Sequence, residues 1–382
     1  MVYANQGATV ERIRESSVKL FSKRWYSSVS VAEICRDAGV SNGIFYRYFD
    51  NKEALIKALL EEVIARIASA LAGMTGQSVH ERLGSMVEIL VRFSAEHPDL
   101  VTVFREGQYR YFEYERRLVD LYKKTLAQAL GRGVGMPEYL FAMGGVRFAG
   151  VRAALYGTEA RIGALRAVLK GGAFPGLGFD EAKIFGITIS PPPIRPEEGT
   201  RERLLHAGKR LFGEKGFHEV NIHEITGAAG LAVGSFYKYF ESKESFFGEL
   251  ISLAGREIRR FITANLSPGL NRLERELQGI YLFGVFLSLD RWCYNIVREG
   301  EFIAPERVRA YYAAFDKGYA KLGAEGMDPD EAAKPGYRET LVEFLLGISH
   351  YYGIELLFEG YGRGSRPVIA ALGKLLAEGI ER

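Results

Sequence analysis

A chain of 382 residues is too long for one small core and points to at least two domains. With 47% hydrophobic and 25% charged residues, no apolar run near the roughly 20 residues of a membrane span and no basic-then-apolar leader, a cytoplasmic protein without membrane partners is expected. Cys35 and Cys293 stand in no paired ligand spacing, which argues against a disulfide framework or zinc knuckle, and a net charge of +3 neither demands nor excludes nucleic acid.

Residues 1–8 read as a short arm. From Thr9 the apolar positions Val10, Ile13, Val18, Leu20 and Phe21 recur at helical spacing, and the first helix ends before Trp25. A second helix over 31–38 places Ile34 and Ala38 on one face, and Gly39 supplies the left-handed turn that stops it. A third helix starts near Ser41 and carries Ile44 to Tyr48. Two short helices joined by a tight Gly-containing turn form a helix-turn-helix signature. A long helix follows over 52–71, then helices near 80–95, 100–108, 115–130 and 137–156, with the glycines of 131–135 as a loop. No sustained period-two alternation predicts a strand. Residues 171–199, glycine-rich and then proline-rich (Pro191 to Pro196), read as a connector. The second half predicts helices over 200–213, 222–229, 233–240, 242–263, 270–289, 294–300, 305–322, 338–358 and 367–378.

The two halves are copies. Residues 31–55 and 222–246 align without a gap at an offset of 191, half the chain length, and the match extends from Thr9/Thr200 to Leu59/Leu250. Glu33/Glu224, Ala38/Ala229, Gly39/Gly230, Gly43/Gly234, Phe45/Phe236, Tyr46/Tyr237, Phe49/Phe240 and Lys52/Lys243 coincide. Farther on, Arg105-Glu106-Gly107 answers Arg298-Glu299-Gly300 at 193, and Gly150-Val151 answers Gly353-Ile354 at 203.

The phrases E-I-x-x-x-A-G-hydrophobic and G-x-F-Y-x-Y-F with a closing K-E, in register behind a helix-one phrase over 200–246 and nearly so over 9–55, resemble the DNA-binding end of the tetracycline-repressor (TetR) family of transcriptional regulators. The resemblance implies an all-α chain of two tandem units, each a helix-turn-helix domain (1–51 and 200–242) followed by a helical-bundle body (52–170 and 243–382) for effector binding and dimerisation, with 171–199 as connector. It implies a sequence-specific DNA-binding regulator, a repressor released by a small, largely apolar effector, with no cofactor. Since one such unit ordinarily forms a homodimer, the chain is expected to be that dimer in one piece, a monomer acting as a pseudo-dimer. The family pairs its last two long helices. Here Arg147 and Arg152 within 137–156 stand against the glutamates of 338–359, which favours unlike halves pairing.

Lys and Arg outnumber Asp and Glu by eight to five over 9–52 and by seven to five over 200–243. A recognition helix presents short polar or basic groups to base edges while aromatics anchor it to phosphates. The candidates are Ser41, Asn42, Ile44 and Arg47 for one groove and Ser235 and Lys238 for the other, with Tyr46, Lys52, Tyr237 and Lys243 for phosphate. Asn42 can make a bidentate adenine contact, worth roughly 1–3 kcal/mol of discrimination. Each has a plainer reading: the tyrosines as structural, Arg47 and Lys238 as solvated face. Because Ser41-Asn42-Gly43-Ile44 is answered by Ala232-Val233-Gly234-Ser235, an asymmetric operator is expected, with half-sites about one helical turn apart.

The aromatic-rich bodies read either as core or as the lining of an effector pocket. Phe104, Tyr109, Phe112, Phe286, Trp292, Tyr294 and Phe302 are the ligand-binding candidates. Two rival functions stay open: an enzyme, for which no nucleophile–base pair, carboxylate pair or metal cluster stands out, and a regulator or interaction module in which only one helix-turn-helix binds DNA.

Overall fold

A computed structural model describes residues 2–191, 199–359 and 365–381; they form helices and turns, with no strand among them. In chain order the helices of the first half are α1 (Val2–Phe21), α2 (Val31–Ala38), α3 (Asn42–Phe45), α4 (Lys52–Ala72), α5 (Val79–Glu96), α6 (Pro98–Arg110), α7 (Phe112–Leu130), α8 (Met136–Glu138), a π-helical segment (Tyr139–Gly144), α9 (Gly145–Tyr156), α10 (Ile162–Gly171) and α11 (Glu181–Phe185). The second half has α12 (Thr200–Lys215), α13 (Ile222–Ala228), α14 (Val233–Phe236), α15 (Lys243–Asn265), α16 (Arg272–Leu289), α17 (Arg291–Ile303), α18 (Pro305–Ala320), α19 (Pro329–Ala332), α20 (Tyr337–Glu359) and α21 (Ser365–Glu378). No described helix is long and apolar enough to cross a membrane.

Three expectations change. Residues 2–8 of the expected arm are part of α1, which starts at Val2. The third helix of each copy is one α-turn, Asn42–Phe45 or Val233–Phe236, because the backbone then tightens: Arg47 N bonds Ile44 O at 3.2 Å and Tyr48 N bonds Phe45 O at 3.0 Å. The helix expected over 137–156 is interrupted by the π-helical segment, which ends at the Gly144-Gly145 pair and is wholly buried.

The chain divides into two compact units whose border does not follow the duplication. Among the described residues, unit 1 holds 2–135, 145–166 and Glu381, whereas unit 2 holds 136–144 and those of 167–380. In unit 1, Ile13, Phe21, Val29, Ile34, Phe45, Phe49, Leu55 and Leu59 make one buried cluster that Val103 of α6 closes from the body side. The described part of the expected connector, 171–191, is packed in unit 2 because its apolar residues find a face to bury. Ala173, Phe174, Ile184 and Phe185 are buried, Phe185 meets Tyr281 edge-on at 5.3 Å, and Gln278 Nε2 donates to Lys183 O at 2.8 Å. The remainder of the proline run, 192–198, lies outside the described residues.

Unit 2 also joins segments of both copies. Phe141 of the π-helical segment meets Phe344 of α20 at 5.3 Å, and a Cβ added at Gly144 would lie 3.5 Å from Gly347 O. Ala173 N and Phe174 N both bond Leu376 O at 2.8 Å, and Ile380 N bonds Leu169 O at 2.8 Å. In unit 1, Arg147 pairs with Glu115 at 2.6 Å, with both side chains buried.

Candidate nucleic-acid interface and body cavities

The two heads are built by the same local devices. Ser30 and Glu33 form a capping box on α2, and Asn221 and Glu224 form one on α13, so the orphan amides of each helix start are satisfied by neighbours three residues away. The Glu33 carboxylate also accepts from Arg24 at 2.7 Å; that bond first, with the Ser30 amide, holds its pKa down to about 2. Lys215 repeats the contact on Glu224 at 2.8 Å and again lowers the carboxyl pKa. Gly39 and Gly230 both take φ of +66°, the left-handed turn that aims α3 and α14 away from the preceding helix.

The recognition turns break the rule that large apolar groups are buried. Among the described residues the exposed large hydrophobic ones are Tyr46 (56%), Tyr237 (58%), Tyr239 (47%), Val233 (39%) and Leu289, so four of five lie on or beside these turns. Tyr46 and Tyr237 rest edge-on against the buried rings of Phe45 and Phe236 at 5.3 and 5.4 Å, which fixes them as outward anchors. Asn42, Arg47 and Lys238 are exposed, Ile44 and Ser235 half-buried. Arg47 and Lys238 make no ion pair among the described residues. Ser41 is exposed and has a structural task as well, accepting from Ile44 N at 3.3 Å to cap α3; its counterpart Ala232 offers no cap.

Lys52 and Lys243 require correction. The Lys52 ammonium donates to Tyr26 O at 2.9 Å and Val29 O at 2.7 Å and stands 4.3 Å from the Tyr26 ring centroid. Lys243 does the same with Phe217 O and Val220 O, both at 3.0 Å, and with the Phe217 ring at 4.2 Å. Both are turned inward, because a half-buried ammonium finds fixed carbonyl dipoles there, and burial pulls the Lys52 pKa down. The same loop is held from the body: Tyr26 N donates to Glu106 at 2.8 Å, and Phe217 N donates to Glu299 at 2.9 Å. The repeated Arg-Glu-Gly phrase of α6 and α17 thus marks the point where body meets head, a role its spacing alone did not reveal.

The bodies differ. In unit 2, α15, α16, α17, α18 and α20 enclose a cavity of about 280 Å³ lined by Ile258, Ile262, Ile280, Phe283, Val297 and Leu346, together with tyrosines of α18 and several arginines. In unit 1, α4 to α7 and α9 leave only about 40 Å³. Among the ligand candidates, Tyr294 lines the larger cavity and Phe104 the smaller. Tyr109, Phe112, Phe286, Trp292 and Phe302, expected beside them, line neither of these two cavities. Phe286 is core, packed on Phe261 at 5.5 Å; Trp292 covers Gly213, where an added Cβ would come within 2.4 Å of it; and Tyr109 lies under the Arg105 guanidinium at 5.2 Å. Tyr319, Phe315 and Arg259, which line the cavity, escaped sequence reasoning, since nothing local distinguishes them from other amphipathic positions on α15 and α18.

Among the described residues, Glu257, Asp290 and Cys293 are the one compact acid–thiol group. The Lys209 ammonium already sits on it, 2.7 Å from Glu257 and bonded to Asp290, and burial pushes the Cys293 thiol pKa far up. The group is therefore a charge network rather than an activated thiolate.

Two short helices set by a left-handed glycine, with exposed tyrosines on the second and a helical body behind, define a helix-turn-helix regulator. The family model for bacterial regulatory proteins of the tetR family matches twice, over residues 13–59 and 204–250. The chain is 30% identical over 171 residues to the uncharacterized HTH-type transcriptional regulator YdgC of Bacillus subtilis, covering 42% of this chain and 83% of that one. It is 33% identical over 152 residues to the HTH-type transcriptional repressor DhaR of Mycobacterium sp., covering 38% and 76%. A TetR-like transcriptional regulator from Rhodococcus sp. RHA1 of solved structure aligns at 19% identity and TM-score 0.39, covering 47% of this chain and 97% of that one. The chain belongs to the tetR family, with the family's DNA-binding segment present twice.

Proposed function

We propose that the chain is a repressor that reads an asymmetric operator with both heads and releases it when a small, largely apolar molecule occupies a body. The observation that carries this reading is the pair of exposed recognition turns that share anchors and differ in readers. Tyr46 and Tyr237 correspond, whereas Asn42 and Ile44 are answered by Val233 and Ser235. Equal grip with unequal donors and acceptors favours two different half-sites, about one helical turn apart.

Release works through the helices that serve two masters. In unit 2, α15 and α17 line the cavity and also hold the head loop through Lys243 and Glu299. A ligand that prefers a different spacing of α15 and α17 shifts the head by that preference and no more. The contacts of Phe141 with Phe344, and of Ala173 with Leu376, support the reading that one chain acts as its own pseudo-dimer.

Selection of bound sequences from a random pool, followed by anisotropy titrations of the selected duplex across salt, tests the proposal. Tyr46→Ala and Tyr237→Ala should each weaken binding, with log affinity falling linearly against log salt. A perfectly palindromic selected site would defeat the asymmetric reading. Loss of affinity in only one of the two variants would favour a regulator with a single working head. Sedimentation giving an obligate dimer of chains would overturn the pseudo-dimer.

A further inference from the structure

We infer that the cavity of unit 2 binds one apolar molecule carrying an anionic group, which Arg259 receives, and that the corresponding space in unit 1 takes no ligand, so that the chain binds one molecule rather than two. This rests on the reading of the body as an effector domain and names the class of effector and the copy that senses it.

The volume of about 280 Å³ falls at the lower edge of the ~300–1,000 Å³ usual for small-molecule sites. Its charged lining is Arg259, Arg272, Arg275 and Arg298 against Glu276 and Glu301, an excess of cations in an otherwise apolar space. Arg272 is matched by Glu276 at 2.8 Å, in a pair that also receives Tyr319 Oη at 2.6 Å, and Arg275 reaches Glu325 at 3.2 Å. Arg259 is different. Its Nη1 is buried with no hydrogen-bond partner, no carboxylate among the described residues pairs with it, and its neighbour is the face of Phe315 at 5.4 Å. Burial lowers its pKa below the usual arginine value, the sign of a cation left without compensation. The Arg259 side chain is half-buried with its Nη1 wholly so, and a guanidinium is a planar fork of donors suited to a carboxylate or phosphate, costly to leave with a desolvated N–H unpaired. Gly255 makes the arrangement possible: a Cβ there would come within 2.9 Å of Arg259 Nη1 and 2.8 Å of the Tyr311 ring.

The first copy has neither feature. At the offset of 191, Arg259 is answered by Ala68 and Gly255 by Ile64. At the offset of 203, His350 of the large cavity is answered by Arg147, whose guanidinium is satisfied by Glu115 at 2.6 Å and Gln108 at 2.9 Å. Arg147 and Gln108 line the corresponding space, which keeps about 40 Å³.

The test is calorimetry on the full chain without DNA, using decanoate and naphthoate as anionic probes and decanol and decylamine as neutral and cationic controls. At least one carboxylate should bind with one site per chain and at least tenfold more tightly than either control. Arg259→Met should weaken that carboxylate at least tenfold, leave decanol unchanged and retain the wild-type circular dichroism, since the guanidinium has no carboxylate partner among the described residues to lose and methionine keeps an apolar contact with Phe315. Arg147→Met should leave carboxylate binding unchanged. Failure of both carboxylates to bind, two sites per chain, tighter binding of a control, or an unaffected Arg259→Met variant would each overturn the inference. A carboxylate that binds through Arg259 and leaves operator affinity unaltered would sustain the site and refute the release reading.

Discussion

Replacing Lys52 with methionine keeps the aliphatic stem and removes only the ammonium, which isolates the clamp between α4 and the head loop. Two hydrogen bonds are lost, to Tyr26 O at 2.9 Å and Val29 O at 2.7 Å, with the contact to the Tyr26 ring at 4.3 Å. A hydrogen bond to a charged group contributes roughly 1.5–3 kcal/mol and a cation–π contact ~0.5–2 kcal/mol. The site is half-buried, so water reaches the released carbonyls and the low ends apply: the net loss is about 3–4 kcal/mol. Urea unfolding followed through Trp25, next to the clamp, in a Trp292→Phe background reads this loss from the first head alone. Operator binding across salt supplies the second readout. A lysine that neutralised a phosphate would take about one unit from the slope of log affinity against log salt when removed, whereas a clamp leaves the slope in place. Wild-type stability together with a slope reduced by about one would refute the clamp and restore Lys52 to the phosphate contacts. Lys243→Met should behave alike, because Phe217 O and Val220 O receive it in the same way.

Glu33 and Glu224 have lowered pKa values, so the stability they contribute is present above their unfolded values and lost as pH falls; for Glu33 the window runs from about 4.5 to about 2. Glu33→Gln and Glu224→Gln should flatten the acid side of the stability curve in that range, and an unchanged curve would count against the Arg24 and Lys215 contacts. Gly39→Ala and Gly230→Ala should each cost roughly 1–2 kcal/mol, because a Cβ resists φ of +66°. Gly43→Ala, with ordinary φ and no atom nearer than Ser41 Oγ at 3.9 Å, should be close to neutral when stability is measured in parallel. Phe141→Ala should cost about 3–5 kcal/mol through its lost packing on Phe344, and hydrogen exchange should report the damage in α20, in the other copy of the duplication.

The heads were legible in the sequence because their determinants act within a few residues. A capping box spans three positions, Gly39 and Gly230 fix a turn by their own backbone freedom, and Phe45 and Phe49 bury themselves in a core drawn mostly from the first 59 residues. The exposure of Asn42, Arg47 and Lys238 follows from the buried positions Phe45, Phe49, Phe236 and Phe240 that alternate with them. Aromatic content, by contrast, does not tell a lining from a core: Phe286 and Tyr294 look alike in sequence, yet only Tyr294 faces the cavity.

The sequence by itself determined an all-helical chain with two copies of one DNA-binding head, since repeats, caps and periodicity are local and self-evident. Tertiary structure alone decided three things. It turned Lys52 and Lys243 inward, because the carbonyls that receive them lie 23 and 26 residues away. It gave residues 136–144 and the first part of the connector to unit 2, because buried apolar area follows the available face and not the chain's own symmetry. It also left about 280 Å³ of open space in one body and about 40 Å³ in the other, because that space is set by side chains meeting from five helices far apart in the chain.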